Sequence, residues 1–315
     1  MPSIEENLDI WSNYSWNEQG NEWSRAWGGA DYSFWGSIYP RIQAFIPGKT
    51  ILEIAPGFGR WTQYLKDFCE NLTIVDLTDK CIAACQQRFA DCSHINYHVN
   101  DGKSLKMVPD ESIDFVFSFD SLVHAEEDVI KAYLQEIALK LKPNGIGFIH
   151  HSNMGSYLNP STGNLEVENP QLRGETMSAK VFEQYCEQAG LQCLSQEIIS
   201  WCNGNILCDC LSVFTPKASQ WSRPNRVIKN IFFMEEADRL LMNYSLYSLN
   251  PQADKLATSQ LMQWQQSQLQ RQQTTTELEN LKYQLQQTQL ELELSHATVN
   301  ELQEVILKFD SEAKF

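Results

Sequence analysis

The sequence predicts an α/β protein, a doubly wound parallel sheet followed by a long α-helical coiled coil. Three observations predict it. Short apolar runs alternate with segments of helical period between residues 50 and 150. A glycine turn, Ala55-Pro56-Gly57-Phe58-Gly59, joins the first apolar run to the helix after it. From about Gln260 the chain is glutamine-rich, free of glycine and apolar at heptad spacing.

Residues 1–48 are dense in aromatics, among them Trp11, Tyr14, Trp16, Trp23 and Trp27, and are broken by Gly28-Gly29. They are expected to cap the sheet. Thr50–Ile54 is read as strand one, and Trp61, Tyr64, Leu65 and Phe68 give the next helix its apolar stripe. Leu72–Val75 is strand two, followed by a helix from Thr78, its N-cap, to Phe89. His94–Val99 and Ile113–Phe117 are strands three and four. Glu127–Leu141 is a helix closed by Pro143 and Gly145, and Gly145–His150 is strand five. Ser178 caps a further helix ending near Ala189. Leu191–Ser200 and Leu207–Phe214 flank Asn203-Gly204-Asn205, a hairpin turn.

Residues 49–216 therefore read as the α/β domain, 217–259 as a mixed linker and 260–315 as coiled coil. With Leu278 at the first core position of a heptad, that position recurs at Leu285, Leu292, Val299 and Ile306. The second core position reads Leu281, Thr288, Ser295, Leu302 and Phe309. Such a seam predicts a homo-oligomer.

Composition narrows the class. Of 315 residues 43% are hydrophobic, enough for a substantial core, yet no run approaches the ~20 apolar residues of a membrane span. The first residues lack the apolar centre of a secretory signal. Nine cysteines with no Cys-x-x-Cys read as free thiols of a cytoplasmic protein. Residues 1–215 hold 14 basic and 28 acidic side chains within an overall charge of −16. That field repels phosphate backbones, so nucleic acid is excluded as substrate, and it opposes docking of this half on anionic membranes.

Four motifs follow one another in order: Glu53 with Gly57 and Gly59, then Asp76, then Asn100-Asp101-Gly102, then Ser118-Phe119-Asp120. In this order they resemble the class I S-adenosylmethionine-dependent methyltransferases over roughly residues 45–215. The resemblance implies a seven-stranded, Rossmann-like sheet with S-adenosylmethionine as cofactor. A nicotinamide dinucleotide fits less well, because the sixth position of the turn is Thr62, preceded by bulky Arg60 and Trp61. Glu53 also suits a cationic cofactor better than a diphosphate. By the resemblance, Gly57 and Gly59 pass under the methionine part and Glu53 supports the loop and the amino group. Asp76 takes the ribose hydroxyls, Asp101 with Gly102 the adenine, and Phe119 the pocket wall. Ala55 stands where the family most often has glycine.

Methyl transfer to a hydroxyl requires alignment and removal of one proton. His124 is the leading base, with Asp120 or Glu126 to orient it, and of the pair His150-His151 at the end of strand five, of which one should face the site, His151 is the second candidate. No metal is called for, although His124, His151 and Asp120 would be the ligands if one took part. Aromatic caps suit sugars, and some bacterial glycan-modifying methyltransferases carry a C-terminal coiled coil. The expected acceptor is therefore a sugar, glycan or other small molecule. The alternatives are a quinone-biosynthesis-like methyltransferase and a non-catalytic scaffold.

Overall fold

In the computed structural model the strand β1 (Gly48–Ile54) is buried on both faces, with Ile51, Leu52, Glu53 and Ile54 all inaccessible. A strand apolar on two sides needs cover on two sides, and the crossover helices supply it. The structure describes residues 3–201, 206–247 and, further on, 266, 269–270, 273–274, 276–289, 291–293, 295–296, 299–300 and 302–303.

The chain opens with α1 (Ile4–Asn13), started by a capping box in which Ser3 and Glu6 satisfy each other's backbone N–H. A 3₁₀ stretch, Asn21–Trp27, leads to α2 (Ala30–Ser33), a π turn over Phe34–Ile38 and α3 (Tyr39–Ile42). After β1 come α4 (Thr62–Leu65), β2 (Cys69–Asp76), α5 (Asp79–Arg88), β3 (Ile95–Val99) and β4 (Ile113–Ser118). Then follow α6 (Glu127–Lys140), β5 (Leu141–Ser152), α7 (Ala179–Gln188), β6 (Leu191–Ile199), β7 (Asp209–Pro216), β8 (Arg226–Asn230) and α8 (Phe233–Tyr247). Thr78 and Ser178 are the N-caps of α5 and α7, accepting from the N–H groups of Cys81 and Val181. The helix expected through Phe68 is α-helical to Leu65 and tightens to 3₁₀ over Lys66–Phe68, before β2 begins at Cys69.

The sheet order is β3-β2-β1-β4-β5-β7-β6-β8, and β7 alone runs against the others. β1 pairs in parallel with β2 on one side and β4 on the other, so the winding reverses between β1 and β4. That reversal leaves a crevice at the carboxyl ends of these two strands, where the site is built.

The sheet thus has eight strands, not the expected seven. β8 pairs in parallel with β6 through Ser195↔Arg226 to Ile199↔Asn230. It left no alternating pattern in the sequence because both of its faces are largely exposed. The chain divides into two units, Met1–Ser248 and Leu249–Phe315, so much of the expected linker belongs to the first. Phe233, Ala237 and Leu241 of α8 are buried. The guanidinium of Arg41 fastens this addition, donating to both carboxylate oxygens of Glu197 on β6 and of Glu236 on α8, at 2.7–3.0 Å. Burial alone pushes the carboxyl of Glu197 up, but its bonds to Arg41 win and hold it below the usual range.

The Asn203-Gly204-Asn205 turn lies outside the described residues, while its flanking strands β6 and β7 pair antiparallel. In the second unit residues 276–289 are helical, and Leu278, Leu281, Leu285, Leu292, Val299 and Leu302 are exposed. Ile306 and Phe309 lie outside the described residues. The eight described cysteines are free.

Replacing Arg41 by Met leaves two carboxylates facing one another. It should cost about 2–3 kcal/mol in a denaturant titration, below the roughly 3–5 of a fully buried pair because these side chains retain some exposure. A folded-state carboxyl held low contributes stability above the ordinary value of 4.5 and loses it as pH falls through the folded pKa. The difference between wild type and Arg41→Met should therefore shrink below about pH 4.5. Truncation after Ser248 should leave a folded unit, whereas truncation after Pro216 should expose the surface that α8 covers and aggregate.

Candidate active site

The loop after β1 turns through three left-handed residues in five: Ala55 at φ +57°, Gly57 at +58° and Gly59 at +82°. Glycine adopts this conformation freely, and Ala55 does so against its Cβ. Ala55 is held there from both sides. Its N–H donates to the Val75 carbonyl at 2.7 Å, and its carbonyl accepts from the Ser121 hydroxyl at 2.8 Å. The N–H of Gly57 donates to Asp76 Oδ2 at 3.1 Å. A Cβ on Gly57 would stand 2.8 Å from Trp16, and one on Gly102 would stand 3.1 Å from Ile4. These backbones form the floor of a cleft, and the N-terminal segment is its roof. Trp16 stacks on Phe58 with ring centroids 4.8 Å apart.

Between floor and roof is a cavity of about 110 Å³ that brings together Gly57, Asp76, Gly102, Asp120 and His124. Asp76 is buried, and its Oδ1 accepts from the N–H and hydroxyl of Thr78. Burial raises its pKa against the pull of these bonds. Each carboxylate oxygen can accept more than one bond, which leaves capacity for a diol. Glu53 lies beneath the loop, outside the cavity lining, and its Oε2 accepts from the Thr62 hydroxyl at 2.6 Å. Its Oε1 is buried without a partner, and burial pushes the carboxyl up to about 8. A cation bound above it would draw off that proton.

Besides Glu53, three residues read from the motifs stand apart from the cavity: Gly59, where a Cβ would meet Phe89 and Cys85, and then Asp101 and Phe119. The carboxylate of Asp101 is exposed and closes an Asx turn, accepting from the N–H groups of Lys103 and Ser104. Phe119 is buried in a ring cluster with Trp61, Phe148, His150 and Trp201, and its carbonyl accepts from the Trp61 indole. Neither lines the space that Gly57 and Asp76 share.

A second cavity of about 420 Å³ adjoins the first, and Asp120, His124, Trp11 and Trp23 line both. Its other walls include Tyr14, Trp201, Leu172 and Arg173. Asp120 sits at φ +60° just past β4 and is 5% exposed. Its Oδ2 accepts from Arg60 at 2.7 Å, and its N–H donates to His150 Nδ1 at 3.1 Å. An accepting Nδ1 puts any neutral-ring proton of His150 on Nε2, which lies 3.2 Å from Asp209. Arg173 donates to Asp209 at 3.0 Å and lies 3.9 Å from Asp120. Burial pushes Asp209 up, and Arg173 with His150 outweighs it, leaving the carboxyl below its ordinary range. The motifs gave no sign of Arg60, Arg173, His150 or Asp209. Arg60 had read only as an obstacle in the glycine turn.

The two candidate bases part company. His124 Nδ1 is 3.0 Å from the Leu172 carbonyl, which can only accept, so Nδ1 carries the proton and Nε2 keeps its lone pair. Burial, and then the Arg173 guanidinium, hold its pKa down to about 4. His151, expected to face the site, faces away. Its ring stacks on Phe182 of α7 at 4.2 Å, and its nitrogens contact the Ser152 carbonyl and the Ser212 hydroxyl. The reason is that β5 runs on to Ser152, so alternation continues and sends His150 to the site side. The trio His124, His151 and Asp120 is therefore not one cluster. Among the described residues no group of three or more His, Cys, Asp or Glu could hold a metal ion.

Residues 51–145 match the family model described as a methyltransferase domain. The chain is 30% identical over 118 residues to phosphoethanolamine N-methyltransferase 1 of Triticum aestivum, covering 36% of this chain and 24% of that one. It is 27% identical over 100 residues to nodulation protein S of Sinorhizobium fredii, covering 31% and 45%. The match thus spans less than half the length of either relative. A SAM-dependent methyltransferase from Leishmania major shares the fold, with a TM-score of 0.50 at 12% identity over 67% of this chain and 82% of that chain. The matched segment supplies the glycine loop, Asp76, Gly102, Asp120 and His124. The match to a methyltransferase domain is confined to residues 51–145, and S-adenosylmethionine is the cofactor that this match supports.

Proposed function

We propose that this chain transfers the methyl group of S-adenosylmethionine to a hydroxyl of a small acceptor, a sugar or glycan unit in the first place. One observation carries the reading: the cavity over the glycine loop and the larger aromatic cavity share Asp120 and His124. A cofactor in the first and an acceptor in the second would meet at those two side chains. The bound cofactor supplies an electrophilic methyl carbon on a cationic sulfonium.

The residues of the chain do the rest. Gly57 and Gly102 let backbone approach the ligand, Asp76 offers acceptors to the ribose diol, and Glu53 places a latent negative charge beneath the amino group. Trp11, Tyr14, Trp23 and Trp201 offer ring faces to the C–H faces of a sugar. His124 is neutral throughout the physiological range, and its Nε2 can take the hydroxyl proton. The ion pair to Arg60 holds Asp120 beside it.

A second reading is an amine acceptor, favoured by the similarity to phosphoethanolamine N-methyltransferases and by the affinity of aromatic walls for ammonium groups. Transfer of labelled methyl to neutral sugars and to phosphoethanolamine, side by side, separates the two. Self-association through the exposed leucine seam of the second unit also belongs to this proposal. Light scattering on the full chain and on a truncation after Ser248 tests it, a monomeric full chain being the adverse result.

Asp76→Ala should weaken S-adenosylmethionine binding in calorimetry by about 2–4 kcal/mol, from the loss of charged acceptors and of the Gly57 anchor. Tight NADH binding with none for S-adenosylmethionine would refute the cofactor assignment. His124→Ala should lower turnover by about 10²–10⁴-fold with cofactor affinity kept within a few-fold. His151→Ala should instead lower stability and spare turnover of the folded protein. Because a base works only when unprotonated, the acid limb of kcat/KM should fall near pH 4 and not near 6.5.

A further inference from the structure

We infer that the stretch from Trp221 to Phe232, built around β8, docks on an anionic lipid surface. The observation begins with charge. Within a chain of net charge −16, residues 217–234 hold Lys217, Arg223, Arg226 and Lys229 and no acidic residue. Three other arginines are neutralised inside the fold: Arg41 by Glu197 and Glu236, Arg60 by Asp120, Arg173 by Asp209. Arg223, Arg226 and Lys229 are exposed.

Apolar exposure coincides with this charge. Trp221, Val227, Ile228, Ile231 and Phe232 each show 43–57% of their surface to solvent. β8 is the last strand of the sheet, and neither of its faces is covered. Basic residues alone would be enough to guard a sheet edge against other strands. Leaving a tryptophan, a phenylalanine and three β-branched residues in water beside them serves no such purpose. Basic groups mixed with aromatic and aliphatic side chains are the composition that binds anionic headgroups and inserts rings at the interface. The acidic residues 1–215 would be repelled by the same surface, so the positive edge also sets the orientation. This docking is peripheral, and no helix among the described residues is long and apolar enough to cross a membrane.

The test is co-sedimentation of the full chain with vesicles of phosphatidylcholine alone and of phosphatidylcholine with roughly a third phosphatidylglycerol. Binding should require the anionic lipid and weaken as salt rises. Arg226→Glu with Lys229→Glu should weaken it by about 10–100-fold. Trp221→Ala with Ile228→Ser should weaken it while leaving the salt dependence in place. Unchanged S-adenosylmethionine affinity in both variants shows that the fold is intact. Absence of binding to the anionic vesicles, or equal binding by the charge-reversed variant, overturns the proposal. So does a shift in molar mass on substitution without a change in vesicle binding, which would make the edge a protein interface.

Discussion

The ion pair between Arg60 and Asp120 ties three segments of the site together. Arg60 comes from the loop after β1, and Asp120 from the loop after β4. The guanidinium also lies over the rings of Trp23 from the cap, at 5.8 Å, and Trp61, at 4.4 Å. Both charged side chains are under 10% exposed, so neither charge could remain there alone. The constraint extends inward. Asp120 holds its left-handed backbone by donating its N–H to His150, and the adjacent Ser121 ties back to Ala55. The two strained residues of the site, Ala55 and Asp120, are thereby braced against one another across the crevice.

Around that pair the buried charges balance. The wall of the larger cavity presents Asp120 and Arg173, and behind it Arg60 and Asp209 pair with them in turn. Such a wall offers oriented hydrogen-bonding groups without a net field. Each of its cations is already engaged by a carboxylate. Aromatic faces complete the surface.

Much of this was legible in the sequence, and the failures have physical causes. Strands β1 to β5 fall where apolar runs stood between turn residues, and the caps of α5 and α7 fall on Thr78 and Ser178. Local chemistry decides those features. The orientation of His150 and His151 depended on where β5 ends, and two further residues of pairing with β7 reversed the expectation. Asp101 has the right residue type at the right place in the chain, yet its oxygens turn to the N–H groups that follow it. Arg60 and Arg173 gain their meaning only from partners 60 and 36 residues away. β8 escaped because a strand exposed on both faces has no period to read.

The stacking of Trp16 on Phe58 sets a clock as well as a wall. The same indole covers Gly57, while Ile4 of α1 covers Gly102, so both ends of the cofactor cavity are roofed by residues that precede β1. A ligand leaving through that roof would first have to part the rings. Each separation forfeits an offset aromatic pair and wets an apolar face, and that barrier falls on entry and departure alike. Such a roof would lengthen the stay of a ligand bound beneath it.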